Sequence, residues 1–158
     1  METRTDLISK IAEAFPEERR FDGIVVRHDC IECRRVDALY RGKRWSELHA
    51  EDLEREPAAY SLFSPEAYVC FLPALLIAAI REPSFNNIVD VERLVRVVSE
   101  DCESASLTLF RERYPLLSKR QRSTVGLVLR YLSESSRGDS GILCPGPLVD
   151  RAIAELWS

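Results

Sequence analysis

Apolar residues along this chain recur mostly at spacings of three and four, the period of helices with one buried face. Leu7, Ile11 and Phe15 share one side of a first helix that Thr5 can cap and Pro16 closes. Phe21 to Val26, with Gly23 and a β-branched pair, reads as a short extended piece. Asp29 can cap a second helix in which Cys33, Val36 and Tyr40 share a face, and Gly42 is a natural stop. Trp45 falls in the following loop, and Leu48 and Leu53 bracket a short acidic helix.

Ser64-Pro65-Glu66 is the clearest start signal. Serine supplies a capping oxygen, proline fits the first helical position, and glutamate favours the positive helix end. The helix that follows is apolar nearly all round, through Tyr68, Phe71, Leu72, Leu75, Leu76 and Ile80, which suits the middle of a bundle. Pro73 lacks an N–H and should kink or split it. Asn87 to Ser99 predicts an amphipathic helix with Val91, Leu94, Val95 and Val98 inward, and Leu107 to Tyr114 a shorter one stopped by Pro115. Ser118 and Gln121 form a capping box for a helix carrying Val125, Val128, Leu129 and Leu132. After a flexible surface loop over 133–147, with Arg137 to Gly141 at its centre, Leu148, Ala152, Ile153 and Leu156 mark a closing helix that ends at Trp157. The expectation is all-α: one domain over 1–158, a compact bundle of six or seven helices around a central apolar helix kinked at Pro73.

Composition narrows the class. The chain has 158 residues, 46% hydrophobic and 30% charged, with a formal charge of −4. Six glycines and eight prolines without periodicity exclude collagen-like and low-complexity chains, and the near-average apolar fraction with modest charge argues against disorder. The mild acidity removes any bulk drive toward nucleic acid. Only Lys10, Lys43 and Lys119 among the basic residues are lysines. The charged start lacks the apolar run of a signal peptide, and the stretch from Ala67 to Ile80 is too short to span a bilayer. Five cysteines, an odd number, then point to reduced thiols in the cytoplasm.

Candidate chemistry is sparse. His28-Asp29-Cys30-Ile31-Glu32-Cys33 is the one constellation with ligand-like spacing. His28, Cys30 and Cys33 offer an imidazole and two thiolates, which suit zinc or thiol redox work. A structural zinc needs a fourth ligand, from His49, Cys102, Cys144 or a carboxylate. The alternative for the two cysteines is a pair of small core thiols. Two histidines, with no G-x-S-x-G, G-x-G-x-x-G or P-loop, leave no constellation for an enzyme. Charge is segregated instead: residues 51–66 carry −4 and residues 111–122 carry +4. Glu51, Asp52, Glu54 and Glu56 on one segment, and Arg111, Arg113, Arg120 and Arg122 on the other, are candidates for steering a protein partner.

His28 to Cys33, then Gly42-Lys43-Arg44-Trp45, Phe63-Ser64-Pro65-Glu66-Ala67 and Leu72-Pro73-Ala74 resemble segments of an uncharacterised family of small bacterial proteins. The resemblance covers Leu7 to Leu132 and implies a bacterial, cytosolic chain; the family brings no activity with it. The leading expectation is a non-enzymatic protein-binding domain, in its sharper form an immunity-type protein that neutralises a toxin by direct binding. That form rests on class-level analogy. The alternative is a metal-binding or thiol-redox protein centred on His28, Cys30 and Cys33. A membrane partner is not expected. The Tyr68–Ile80 helix is covered within one chain or by a second copy of it.

Overall fold

The computed structural model describes residues 2–16, 20–135 and 145–158. The described residues form an all-α architecture. Its helices are α1 (Arg4–Ala14), α2 (Ile31–Tyr40), α3 (Ala50–Arg55), α4 (Ala59–Leu62), α5 (Pro65–Arg81), α6 (Phe85–Arg96), α7 (Ser104–Arg113), α8 (Lys119–Ser135) and α9 (Gly146–Leu156). Two 3₁₀ turns, Trp45–Glu47 and Tyr114–Leu116, join them. The described helices number nine rather than six or seven; α3 is the short acidic helix expected between Leu48 and Leu53, and α4 is a further four-residue helix that the apolar spacing does not mark. The only strand-like feature among the described residues is an antiparallel bridge between Val26 and Phe63.

α5 is the axis of the fold. Twelve of its 17 residues are buried, and α1, α3, α6, α7, α8 and both 3₁₀ turns pack on it. The chain thus covers its own apolar helix. α6 leaves α5 at a bend of 117°, and no single described helix is long and apolar enough to cross a membrane. α9 closes the bundle against α6 and α8. Trp157 at its end is buried, its indole N–H donating to the Leu94 carbonyl at 3.0 Å. Gly126 on α8 makes that approach possible, because a Cβ there would meet the Trp157 carbonyl oxygen at 2.1 Å.

Several helices start earlier than their apolar periodicity suggests, and capping chemistry explains the offset. Thr3, not Thr5, caps α1: its Oγ1 accepts the Asp6 N–H and the Asp6 carboxylate accepts the Thr3 N–H, both at 3.1 Å. Ser84 pairs with Asn87 in the same reciprocal way and begins α6 at Phe85. α7 also begins ahead of its first leucine, at Ser104, but without a side-chain cap bond. The Ser64 and Ser118 starts lie where the sequence places them. Of the expected loop over 133–147, residues 133–135 belong to α8 and 146–147 to α9, and residues 136–144 lie outside the described ones.

Pro73 lies inside α5 without ending it, and Tyr60 hydrogen-bonds the helix backbone beside it. The Tyr60 hydroxyl donates to the Phe71 carbonyl at 2.7 Å, and the Leu75 N–H lies against the hydroxyl oxygen itself. Phe71 and Leu75 are the two ends of one helical rung, so the hydroxyl is placed at the rung beside the proline. Tyr60, Tyr40, Phe63 and Phe71 form an edge-to-face aromatic cluster around it. The Tyr40 hydroxyl is buried there with no partner among the described residues. Removing an unpaired buried hydroxyl stabilises, whereas removing a paired one costs about 1 kcal/mol or more. Urea unfolding should therefore show Tyr40→Phe more stable than wild type and Tyr60→Phe less stable. Equal effects of the two substitutions would contradict this assignment.

Candidate functional site

The geometry of the His28–Cys33 segment is set from outside it. Ser64, the cap of α5, accepts the Ala67 N–H, and its own hydroxyl donates to the Ile24 carbonyl. Its N–H donates to the Val25 carbonyl at 2.8 Å. The extended piece before the site is thus fastened to the start of the central helix. Its other end is held by Phe21, which exchanges backbone bonds with Gly42 and Lys43 just after α2. Gly42 sits at φ +69, a left-handed turn that glycine takes without strain. α2 in turn buries Cys33, Val36 and Tyr40, the face its periodicity predicts, with the Tyr40 ring locked into the aromatic cluster.

Within that frame the three side chains converge: the ligand atoms of His28, Cys30 and Cys33 all lie within 4.8 Å of one another. They are the one cluster of three metal-ligating groups among the described residues. His28 is exposed, Cys30 half-buried and Cys33 buried. The cap of α2 is Cys30, not Asp29. Its Sγ accepts the Cys33 N–H at 3.3 Å, while Asp29 turns aside to pair with Arg34 at 2.8 and 3.3 Å. His28 Nδ1 lies 4.0 Å from Cys33 Sγ.

These contacts separate the two thiols chemically. The Cys33 N–H, followed by the His28 and Cys33 side chains, brings the Cys30 thiol down to about 7. The positive end of α2 acts in the same direction. Burial, with Cys30 close by, pushes Cys33 up. Cys30 is therefore substantially thiolate at neutral pH and Cys33 is not. A cavity of about 480 Å³ opens beside the pair, with Ile24, His28, Cys33, Arg34 and Arg41 in its wall. Ile24 and Ile31, on either side of the site in the chain, are each 70% exposed.

The other candidate ligands stay apart from this cluster. His49 lies at the start of α3, Cys102 is half-buried beyond α6 with its Sγ donating to the Glu103 carbonyl, and Cys144 lies outside the described residues. Cys70, on α5, is pushed up to about 11 by burial.

Much of the segregated charge is used internally. Asp52 accepts the His49 N–H at 3.0 Å, and Glu54 bonds Ser84 and Asn86 at the start of α6. Arg113 is buried rather than presented to a partner. It donates to the Ser61 and Phe63 carbonyls, and its guanidinium lies over the Tyr68 ring, 4.0 Å away. Arg122 covers the Tyr114 ring in the same way, and Arg120 pairs with Glu13 at 2.7 Å. Glu51 and Arg111 are exposed and Glu56 is half-buried. No ion pair joins the 51–66 and 111–122 segments among the described residues.

No protein family, curated protein or solved structure matches the chain. Site-resolved alkylation with iodoacetamide should label Cys30 first, with a rate profile whose midpoint lies at about 7. His28→Ala should move that midpoint upward. Preferred labelling of Cys33, or a profile unchanged by His28→Ala, would contradict the electrostatics described.

Proposed function

We propose that this protein exchanges disulfides through Cys30 and Cys33, with a disulfide-bearing polypeptide as its partner. The observation that carries this reading is the unequal pair: a half-exposed thiol capping a helix, brought down to about 7, beside a buried thiol pushed up. A nucleophile near ambient pH combines a useful thiolate fraction with retained nucleophilicity. The buried neighbour is the group that completes exchange.

The electrons balance in two displacements. Cys30 thiolate attacks one sulfur of a substrate disulfide, forming a mixed disulfide and releasing the first substrate thiolate, which takes a proton from solvent. Cys33 then gives its proton to His28, which is exposed and passes it on, and its sulfur attacks Cys30 Sγ. The mixed disulfide breaks and the second substrate thiol leaves. The substrate gains two electrons and the protein is left as the Cys30–Cys33 disulfide, which a dithiol reductant restores. Exposed Ile24 and Ile31 supply apolar surface for an extended segment beside the reacting sulfur. Partner binding is thus part of the chemistry, and an immunity-type role through Glu51 and the outward arginines draws on less free charge than the sequence counts.

A second reading has its own observation. Two thiols and an imidazole within 4.8 Å are a soft donor set that suits zinc, with the fourth position left to water or a partner's atom. One experiment separates the two. Treated with oxidised glutathione, wild-type protein should lose two hydrogen atoms and carry a Cys30–Cys33 bridge, while Cys33→Ser should stop at glutathione bound to Cys30. Protein that retains one zinc per chain after purification, with both thiols protected from alkylation until a chelator is added, would overturn the exchange reading in favour of the metal.

A further inference from the structure

A second cavity, remote in sequence from the dithiol, lies between α4, α6, α7 and the Tyr114–Leu116 turn. Its volume is about 140 Å³, close to the roughly 150 Å³ of an apolar protein cavity known to hold a benzene ring. Most of its wall is aliphatic or aromatic, with Leu94, Val97, Leu109, Phe110 and Trp157 prominent. The polar groups of the wall aromatics are largely occupied within the protein. Trp157 donates to Leu94, Tyr114 to the Leu156 carbonyl at 2.6 Å, and Tyr60 to Phe71.

The exception is Arg113. Its side chain lines the cavity and the residue is only 8% exposed. Its two hydrogen bonds among the described residues, both from one terminal nitrogen, reach the Ser61 and Phe63 carbonyls at 3.5 and 3.3 Å, long for a charged donor. Its Nε is buried with no hydrogen-bond partner among the described residues. No carboxylate forms a contact ion pair with it among the described residues. The nearby carboxylate, Asp90, is already held by Arg93 at 2.8 Å, and Arg93 also donates to Ser61 Oγ. Asp90 and Glu112 act on Arg113 only through space, so the cavity holds a buried guanidinium that no carboxylate contacts among the described residues. A buried cation in that condition is costly unless an anion reaches it. Burial acting on both groups, raising Asp90 to about 6 and lowering Arg113, marks the same poorly solvated end.

From this we infer that the cavity binds a small monocarboxylate with an apolar body the size of one ring, its carboxylate against Arg113 and its body against Phe110, Leu109 and Trp157. The apolar wall supplies burial, and the unfilled guanidinium supplies orientation, the usual division of labour in small-molecule sites. A carboxylate is planar and matches the guanidinium fork. A phosphate would bring a second charge and more polar surface than the aromatic wall can satisfy.

Benzoate is the probe, measured by calorimetry on the full chain, with benzyl alcohol as the same body without charge and acetate as the charge without a body. Benzoate should bind one to one and at least about tenfold more tightly than either control, the order expected for a charge-assisted hydrogen bond. Arg113→Met should lose about that factor. Because Arg113 is buried, that variant's folding is open to question, so Ala105→Leu provides an independent arm. Ala105 is exposed on α7 at the cavity wall, and leucine there narrows the cavity while leaving Arg113 in place. It should retain the wild-type unfolding midpoint and lose benzoate binding. Benzoate binding equal to that of benzyl alcohol, undiminished in Ala105→Leu, or absent in wild type would overturn the proposal.

Discussion

An apolar helix with no polar face must be covered on every side, and that constraint organises this molecule. α5 buries twelve of 17 residues, at about 1.5 to 3 kcal/mol for each large side chain taken out of water. No single neighbour can enclose such a cylinder. The chain therefore wraps it with helices from both halves of the sequence, and the short elements between them become consequences of closure. α3 and α4 are one-turn pieces filling the approach to α5. The Trp45–Glu47 turn lies on the same surface, with the Trp45 indole donating to the Phe15 carbonyl at 3.0 Å.

The dithiol inherits its position from this arrangement. Where α5 begins, Ser64 performs two tasks: it satisfies the first turn of the helix and fastens the Ile24–Val25 backbone. That attachment directs the chain into α2, whose buried face seats Tyr40 in the aromatic cluster and turns Cys33 inward. Cys30 is then the last residue before the helix, and its sulfur is the acceptor nearest the unpaired N–H groups of the first turn. A thiolate there gains both a hydrogen bond and the positive helix end. The reactivity proposed for Cys30 is in this sense a by-product of helix capping, with His28 adding to it from outside.

The sequence displays the helical class, the central helix and the shared face of Cys33, Val36 and Tyr40, because these depend on apolar spacing and on a strong serine-proline start. Helix starts were less legible. Thr3 and Ser84 precede the apolar residues by several positions, and reciprocal side-chain bonds, not hydrophobicity, define them. Asp29 outranks cysteine as a cap on intrinsic preference, yet Arg34 draws it away, a competition between neighbours that residue type alone does not reveal. Arg113 is the clearest divergence. Its position in a basic run suggests surface, but Tyr68 and two carbonyls forty or more residues earlier hold it inside, and such long-range contacts leave no local pattern.

The sulfur capping α2 is the group that ionises near neutrality. The Cys33 backbone amide reports on that bond directly, and its proton and nitrogen resonances can be followed from about pH 5 to about pH 9. They should shift with a midpoint at about 7, as the acceptor becomes a thiolate, and the transition should vanish in Cys30→Ser, where a hydroxyl caps the helix without titrating. A Cys33 amide that passes through neutrality unchanged, or that titrates equally in Cys30→Ser, would contradict the claim.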